Sequence, residues 1–194
     1  MELVERELER AKNGDPEAFS DIVRSHQHRV YNLALKMLRD PDEAKDATQD
    51  IFIKIHSSLK NFRHSSRLPT WVYRVATNHL LDQLRRAKRE RTRRINQPWK
   101  EVAHIRNDPR AEDPAVVVNQ EEVRQIVREA VDELPDLYRT VIVLHYQQGL
   151  SYQEIAEILG VSARTVGTRI HRAKARLRSW LDPIWRGGKI DGGK

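Results

Sequence analysis

The 194-residue chain has no cysteine, which removes disulfides, thiolate metal sites, iron–sulfur clusters and a cysteine nucleophile together. Nothing then opposes a reducing compartment, and a cytoplasmic location is expected. Long apolar runs are missing too. Val141-Ile142-Val143-Leu144 is among the longest, far short of the roughly 20 residues that span a bilayer. The acidic start Met1-Glu2-Leu3-Val4-Glu5 has no signal-peptide pattern. Direct membrane insertion and secretion are therefore not expected. Glycine and proline are few, eight of each, so little interrupts regular structure. Signatures of catalysis are lacking: there is no Walker loop, no GxGxxG and no HExxH. His26 and His28 stand two apart on a helix and so diverge instead of chelating. No catalytic residue, metal site, cofactor or small-molecule substrate is expected.

What the chain has is charge, with 35 Lys+Arg against 28 Asp+Glu, a formal +7 and a mean hydropathy of −0.72. The charge is segmented. Residues 1–60 carry a net −2, 61–106 a net +9, 107–138 a net −6 and 139–194 a net +6. A cation set against a phosphate releases condensed counterions, so two basic blocks separated by an acidic one point to two contacts with one polyanion. A single charged run is equally the mark of an ordinary solvated helix face, so motifs must decide.

Apolar residues recur at i, i+3, i+4 and i+7 along almost every long segment, which predicts an all-α fold. Asp15-Pro16-Glu17 opens a helix over 15–39 carrying Phe19, Ile22, Val23, Val30, Leu33, Ala34 and Met37. A second helix starts near Pro41-Asp42-Glu43 and runs to about Leu59, and residues 60–70 read as a loop. A third spans about Thr70 to Arg89. Periodicity dissolves from Arg91 to Asn119, around Pro98, Pro109 and Pro114, which reads as a flexible linker. Helical period returns over 120–182, and the glycine-rich end 186–194 reads as a disordered tail.

The sharpest pattern lies in the C-terminal half. Ser151-Tyr-Gln-Glu154 has the form of a capping box, Ile155, Ala156, Ile158 and Leu159 follow as a buried face, and Gly160 stops the helix. Ser162 caps the next one, in which Val166, Ile170, Ala173 and Leu177 share a face. This is the helix-turn-helix pattern, whose second helix enters the major groove. Its opposite face holds Arg164, Thr168, His171, Arg172 and Ala175, with Arg169 and Arg176 on one shoulder and Lys174 and Arg178 on the other. Arginine bonds guanine bidentately, threonine touches base edges, and shoulder cations suit phosphates. Gly167 in mid-helix costs about 1 kcal/mol against alanine and implies close approach of something, or tolerance.

In the N-terminal half Ala44, Ala47, Ile51 and Ile55 share one helix face, while Asp42, Asp46, Gln49 and Ile53 share the opposite one. An outward isoleucine among carboxylates has the form of a protein-docking stripe. The third helix and the preceding loop combine Phe62, Arg63, His64, Trp71, Tyr73, Arg74, Asn78, Arg85, Arg86, Lys88 and Arg89. Rings that stack on unpaired bases, polar groups that read their edges and cations that hold the backbone equip such a segment for single-stranded nucleic acid. Trp71 and Tyr73 each have a second reading as core.

With these residues together, the chain resembles the extracytoplasmic-function (ECF) group of bacterial RNA polymerase sigma factors, the compact members of the sigma-70 family, and most of all the sigma-W-like ones. Asp42-Glu-Ala-Lys-Asp-Ala-Thr-Gln-Asp-Ile-Phe-Ile-Lys54 is similar to region 2.2 and Pro69-Thr-Trp-Val-Tyr-Arg-Val-Ala-Thr-Asn78 to regions 2.3–2.4. Leu134-Pro-Asp-Leu-Tyr-Arg139 and Leu150-Ser-Tyr-Gln-Glu-Ile-Ala-Glu-Ile-Leu-Gly160 are similar to region 4. The resemblance implies a noncatalytic factor with a region 2 helical bundle at 1–90, a linker at 91–119 and a region 4 helix-turn-helix domain at 120–185. It implies core polymerase as partner, through the β′ clamp helices and the β flap, and promoter DNA.

By position, Asp42, Asp46, Gln49, Asp50 and Ile53 would face β′. Phe62, Arg63, His64, Ser65 and Ser66 would capture a flipped −10 base, with Trp71, Arg74 and Asn78 beside it. Arg164, Thr165, Thr168, Arg169, His171 and Arg172 would meet the −35 duplex. A cognate anti-sigma factor, often one that holds its sigma factor at the membrane, is implied as well. The chain departs from the family at Asp50, where Glu is frequent, at Gly167, where many members have Lys or Arg, and at Arg164, where many have Gly. The rival reading, a dimeric helix-turn-helix repressor, needs only residues 120–182 and predicts binding to palindromic duplex without polymerase.

Overall fold

A computed structural model describes residues 2–62, 67–95 and 120–187; these hold eight α-helices and no strand. The helices are α1 (Glu2–Lys12), α2 (Pro16–Leu38), α3 (Pro41–Ser58), α4 (Leu68–Ile95), α5 (Gln120–Asp132), α6 (Asp136–Ile142), α7 (Tyr152–Leu159) and α8 (Ala163–Gly187). A 3₁₀ turn, Leu59–Asn61, follows α3, and a π-helical turn, Val143–Gln147, continues α6.

Local chemistry accounts for most of the boundaries. The Asp15 carboxylate accepts from the backbone N–H groups of Glu17 and Ala18 at 3.0 and 3.2 Å, with Pro16 in the first turn of α2. Asp40 repeats the device for α3, accepting from Asp42 and Glu43 at 2.9 Å each ahead of Pro41. The capping box of α7 is closed in both directions: Glu154 N–H donates to Ser151 Oγ at 3.2 Å, and Ser151 N–H donates to the Glu154 carboxylate at 2.9 Å. Gly160 ends that helix in the left-handed conformation, φ +64°.

Two features differ from the sequence reading. α1, which that reading leaves out, packs on α2 through Leu8 and Ala11. α4 does not end at Arg89; it continues to Ile95, because Arg, Glu and Lys are good helix formers and no glycine or proline intervenes before Pro98. The expected linker thus begins as helix, and its remainder, 96–119, lies outside the described residues, as does the expected tail from 188 on.

The two halves pack against each other, a relation that no sequence pattern specifies. α2, α3, the 3₁₀ turn and α4 bury Leu33, Met37, Ile51, Ile55, Leu59, Val72 and Leu80, while α7, α8 and the π turn bury Leu144, Ile155, Ile158, Val166 and Ile170, and these residues form one continuous apolar cluster. α7 lies against α4, and α6 with the π turn lies against α2. At this seam the Arg139 guanidinium, almost wholly buried, donates to the Met37 carbonyl at 3.0 Å, to the Asp132 carbonyl at 3.3 Å and to the Asp136 carboxylate at 2.5 Å. It closes the carbonyl end of α2 from the other half of the chain.

A lysine has one ammonium and no fork, so it cannot serve three acceptors in this arrangement. Arg139→Lys is expected to lower the unfolding free energy by about 2 kcal/mol, since buried carbonyls lose their donors. Urea unfolding checks this, and an unchanged midpoint would contradict it.

Candidate nucleic-acid and protein interfaces

Three surfaces carry the residues singled out above. On α3 the inward set Ala44, Ala47, Ile51 and Ile55 is buried, which turns Asp42, Asp46, Gln49, Asp50 and Ile53 outward, all exposed. Ile53 is 66% exposed, the most exposed large apolar side chain among the described residues, and Asp50 and Asp46 stand one and two turns before it on the same helix. Behind this face, Lys54 Nζ lies 2.7 Å from His79 Nδ1, and His79 Nε2 lies 4.0 Å from the Asp50 carboxylate. His79 therefore ties the α3 face to α4, one residue beyond Asn78.

On α4 the structure separates the expected residues. Phe62 and Trp71 are buried, with ring centroids 5.2 Å apart, so these two rings brace the start of the helix. Arg74 is half-buried and Asn78 is exposed on the outer surface. Arg63, His64, Ser65 and Ser66 lie outside the described residues. Tyr73 is buried, its hydroxyl donating to Gln148 Oε1 at 2.7 Å. Farther along, Arg85, Lys88, Arg89, Thr92 and Arg93 form an exposed basic face on the last turns of α4.

On α8, Val166, Ile170 and Ala173 are fully buried, so Arg164, Thr168, His171 and Arg172 stand exposed on the outer face, with Thr165 and Arg169 half-buried. Thr165 is occupied locally: its N–H donates to the Ser162 side chain at 3.1 Å, and its hydroxyl bonds the same oxygen at 2.8 Å. Two shoulder cations lie over rings of their own domain, Lys174 on Tyr146 at 5.2 Å and Arg176 on Tyr138 at 5.4 Å. A Cβ on Gly167 would lie 3.6 Å from the Tyr152 ring, an ordinary contact, so within the chain glycine is tolerated there and not required. No cluster able to hold a metal occurs among the described residues.

The comparisons with known proteins decide the family. Residues 22–90 match the family model for Sigma-70 region 2, and residues 124–177 match Sigma-70, region 4. The chain is 34% identical over 181 residues to the ECF RNA polymerase sigma factor SigW of Bacillus subtilis, spanning 92% of this chain and 97% of that protein. The chain belongs to the ECF sigma factors. It is also 33% identical over 183 residues to the RNA polymerase sigma-H factor of Pseudomonas aeruginosa, covering 92% of this chain and 94% of that one.

The fold is shared with the sigma factor RpoE solved in complex with the anti-sigma factor NepR from Bartonella quintana, at TM-score 0.64, 24% identity and coverage of 84% and 96%. It is shared equally with CnrH in complex with the cytosolic domain of CnrY, at TM-score 0.64, 24% identity and coverage of 91% and 96%. This ECF sigma factor serves promoter-directed transcription initiation by RNA polymerase and catalyses no reaction itself. No helix among its described residues is long and apolar enough to cross a membrane.

Two features of these surfaces were hidden from sequence pattern. The His79–Lys54 contact joins residues 25 apart, and the Tyr73–Gln148 bond joins residues 75 apart. Only packing brings them together.

Gly167→Ala is expected to stabilise the protein by about 0.5–1 kcal/mol, because alanine fits the contact and restricts the unfolded chain; a fall in the thermal midpoint would contradict it. Burial holds the His26 and His79 imidazoles below the usual histidine value, with Lys54 adding to the effect at His79. The unfolded chain therefore takes up protons first, so this stability contribution is complete above about pH 6.5 and is lost as pH falls through the folded values. Urea midpoints measured against pH should drop on acidification, with a shallower slope in His26→Gln/His79→Gln. An equal slope in that variant would contradict the assignment.

Proposed function

We propose that the exposed stripe Asp42, Asp46, Gln49, Asp50 and Ile53 on α3 docks on the β′ clamp helices of core polymerase. The −10 element is read at the start of α4 and the loop before it, by Arg63, His64, Ser65, Ser66, Arg74 and Asn78, while Phe62 and Trp71, expected from the sequence to meet the base themselves, are buried and support this surface from beneath. The −35 duplex is read by Arg164, Thr165, Thr168, Arg169, His171 and Arg172 on α8, with region 4 also meeting the β flap. The observation that carries this reading is that α3 and α8 each bury one face and present a chemically distinct other one, an isoleucine among carboxylates on α3 and an arginine-rich face on α8. Each presented face falls inside the matching sigma-70 region.

Melting follows from differential affinity. A pocket that receives a base only when it has left the stack lowers the free energy of the open form, and polymerase performs the chemistry. The linker between the two domains would thread toward the RNA exit path. A cognate anti-sigma factor is part of the same reading, since one solved structure that shares the fold holds a sigma factor in complex with an anti-sigma factor. A membrane-bound partner of that kind would hold this chain at the cytoplasmic face.

Run-off transcription with core enzyme tests the assignments separately. Asp46→Ala should weaken core binding by about tenfold or more, as expected of a truncated interface anchor. Arg172→Ala should cost about 1–3 kcal/mol of −35 recognition while leaving core affinity unchanged. Unchanged core binding in the first variant, or unchanged −35 dependence in the second, would overturn the corresponding assignment.

A further inference from the structure

Asp50 and Lys54 lie four residues apart on α3, the spacing at which a carboxylate and a following ammonium pair across one helical turn. Lys54 does not turn back to Asp50. Its ammonium reaches across to α4 and lies 2.7 Å from His79 Nδ1, while the Asp50 side chain stays 64% exposed. An ammonium has only donors, so Nδ1 is the acceptor and the ring proton sits on Nε2. Nε2 faces the Asp50 carboxylate at 4.0 Å, beyond hydrogen-bonding distance. The neutral ring thus holds the cation and leaves the carboxylate without one.

Packing favours this neutral form. Only 13% of the His79 side chain is exposed, and burial holds the imidazole below the usual histidine value, with Lys54 adding to the effect and Asp50 opposing it. Arg86 and Asp82, on α4 itself, act on the ring in opposite senses, and Asp82 is already paired with Arg85 at 2.9 Å.

Resting on the docking reading above, we infer that His79 is a positioning residue for polymerase binding: by taking the Lys54 ammonium it keeps Asp50 free to meet a cation of the β′ surface. Removing the acceptor returns Lys54 to Asp50. An exposed pair of that kind is worth at most about fivefold in an equilibrium, which bounds the loss of affinity. Protonating the ring acts in the same direction by a second route. Imidazolium has no acceptor, so Lys54 is released, and the new cation itself stands 4.0 Å from Asp50. The folded value lies below the ordinary one, so the docking-competent form is complete above about pH 6.5 and is lost as pH falls through the folded value.

Affinity of the full chain for core enzyme tests this. His79→Leu should weaken binding about two- to fivefold at about pH 7.5. His79→Asn, whose amide oxygen can accept from Lys54 at the Nδ1 position, should recover about half of that loss or more. In a Lys54→Met chain the His79→Leu change should cost less than about 1.5-fold, because no cation is left to return to Asp50. Between about pH 7.5 and about pH 5 the parent should lose at least about threefold more affinity than His79→Asn, a ratio in which the polymerase's own titration cancels. No loss in His79→Leu, the same loss in the Lys54→Met chain, or equal pH profiles for the parent and His79→Asn would overturn the inference. Imidazole nitrogen NMR of the free chain reads the latch without polymerase: the His79 Nδ1 resonance should move in Lys54→Met, and an unmoved resonance would also overturn it. The docking reading fails separately, on unchanged core binding by Asp46→Ala and Asp50→Ala.

Discussion

The architecture turns on α4 having neighbours on both sides. Its inner residues Val72, Ala76 and Leu80 complete the core of α2 and α3, and its opening turn also serves as the floor for α7. One helix thus belongs to two packing problems. That explains why Tyr73, which a single amphipathic face would leave at the margin, is buried with its hydroxyl bonded across the seam. It also explains why a guanidinium from residue 139 is the donor that satisfies a carbonyl of residue 37.

Elsewhere the division of labour between faces is simple. Each helix buries an apolar stripe because amphipathic segments have no other way to leave water. What remains outside is free to carry chemistry: carboxylates and Ile53 on α3, arginines on α8 and the exposed basic face along the end of α4. The histidine between Lys54 and Asp50 ties the exposed α3 stripe to the helix that carries Asn78.

Much of this was legible before folding. The Asp15-Pro16 and Pro41-Asp42 starts, the Ser151–Glu154 box, the Gly160 stop and the inward set of α8 are local signals, and local hydrogen bonding made each of them visible in the chain. The outward stripe on α3 followed from the same 100° arithmetic. What stayed hidden depends on contacts between distant residues. No periodicity announces that Arg139 will reach α2, that α1 will pack on α2, or that the rings of Phe62 and Trp71 will meet each other under the surface. The length of α4 escapes the apolar pattern for a different reason: that pattern fades at Arg89 while helix propensity does not.

The central claim is that this chain, held by core polymerase, opens promoter DNA by retaining an unstacked base. A fluorescent base analogue placed in the −10 element reports unstacking directly. The account predicts a rise in fluorescence when core enzyme and this chain are present together, and none with either alone. No rise with both, or occupancy of an intact duplex by the chain alone as a symmetric dimer, would contradict it.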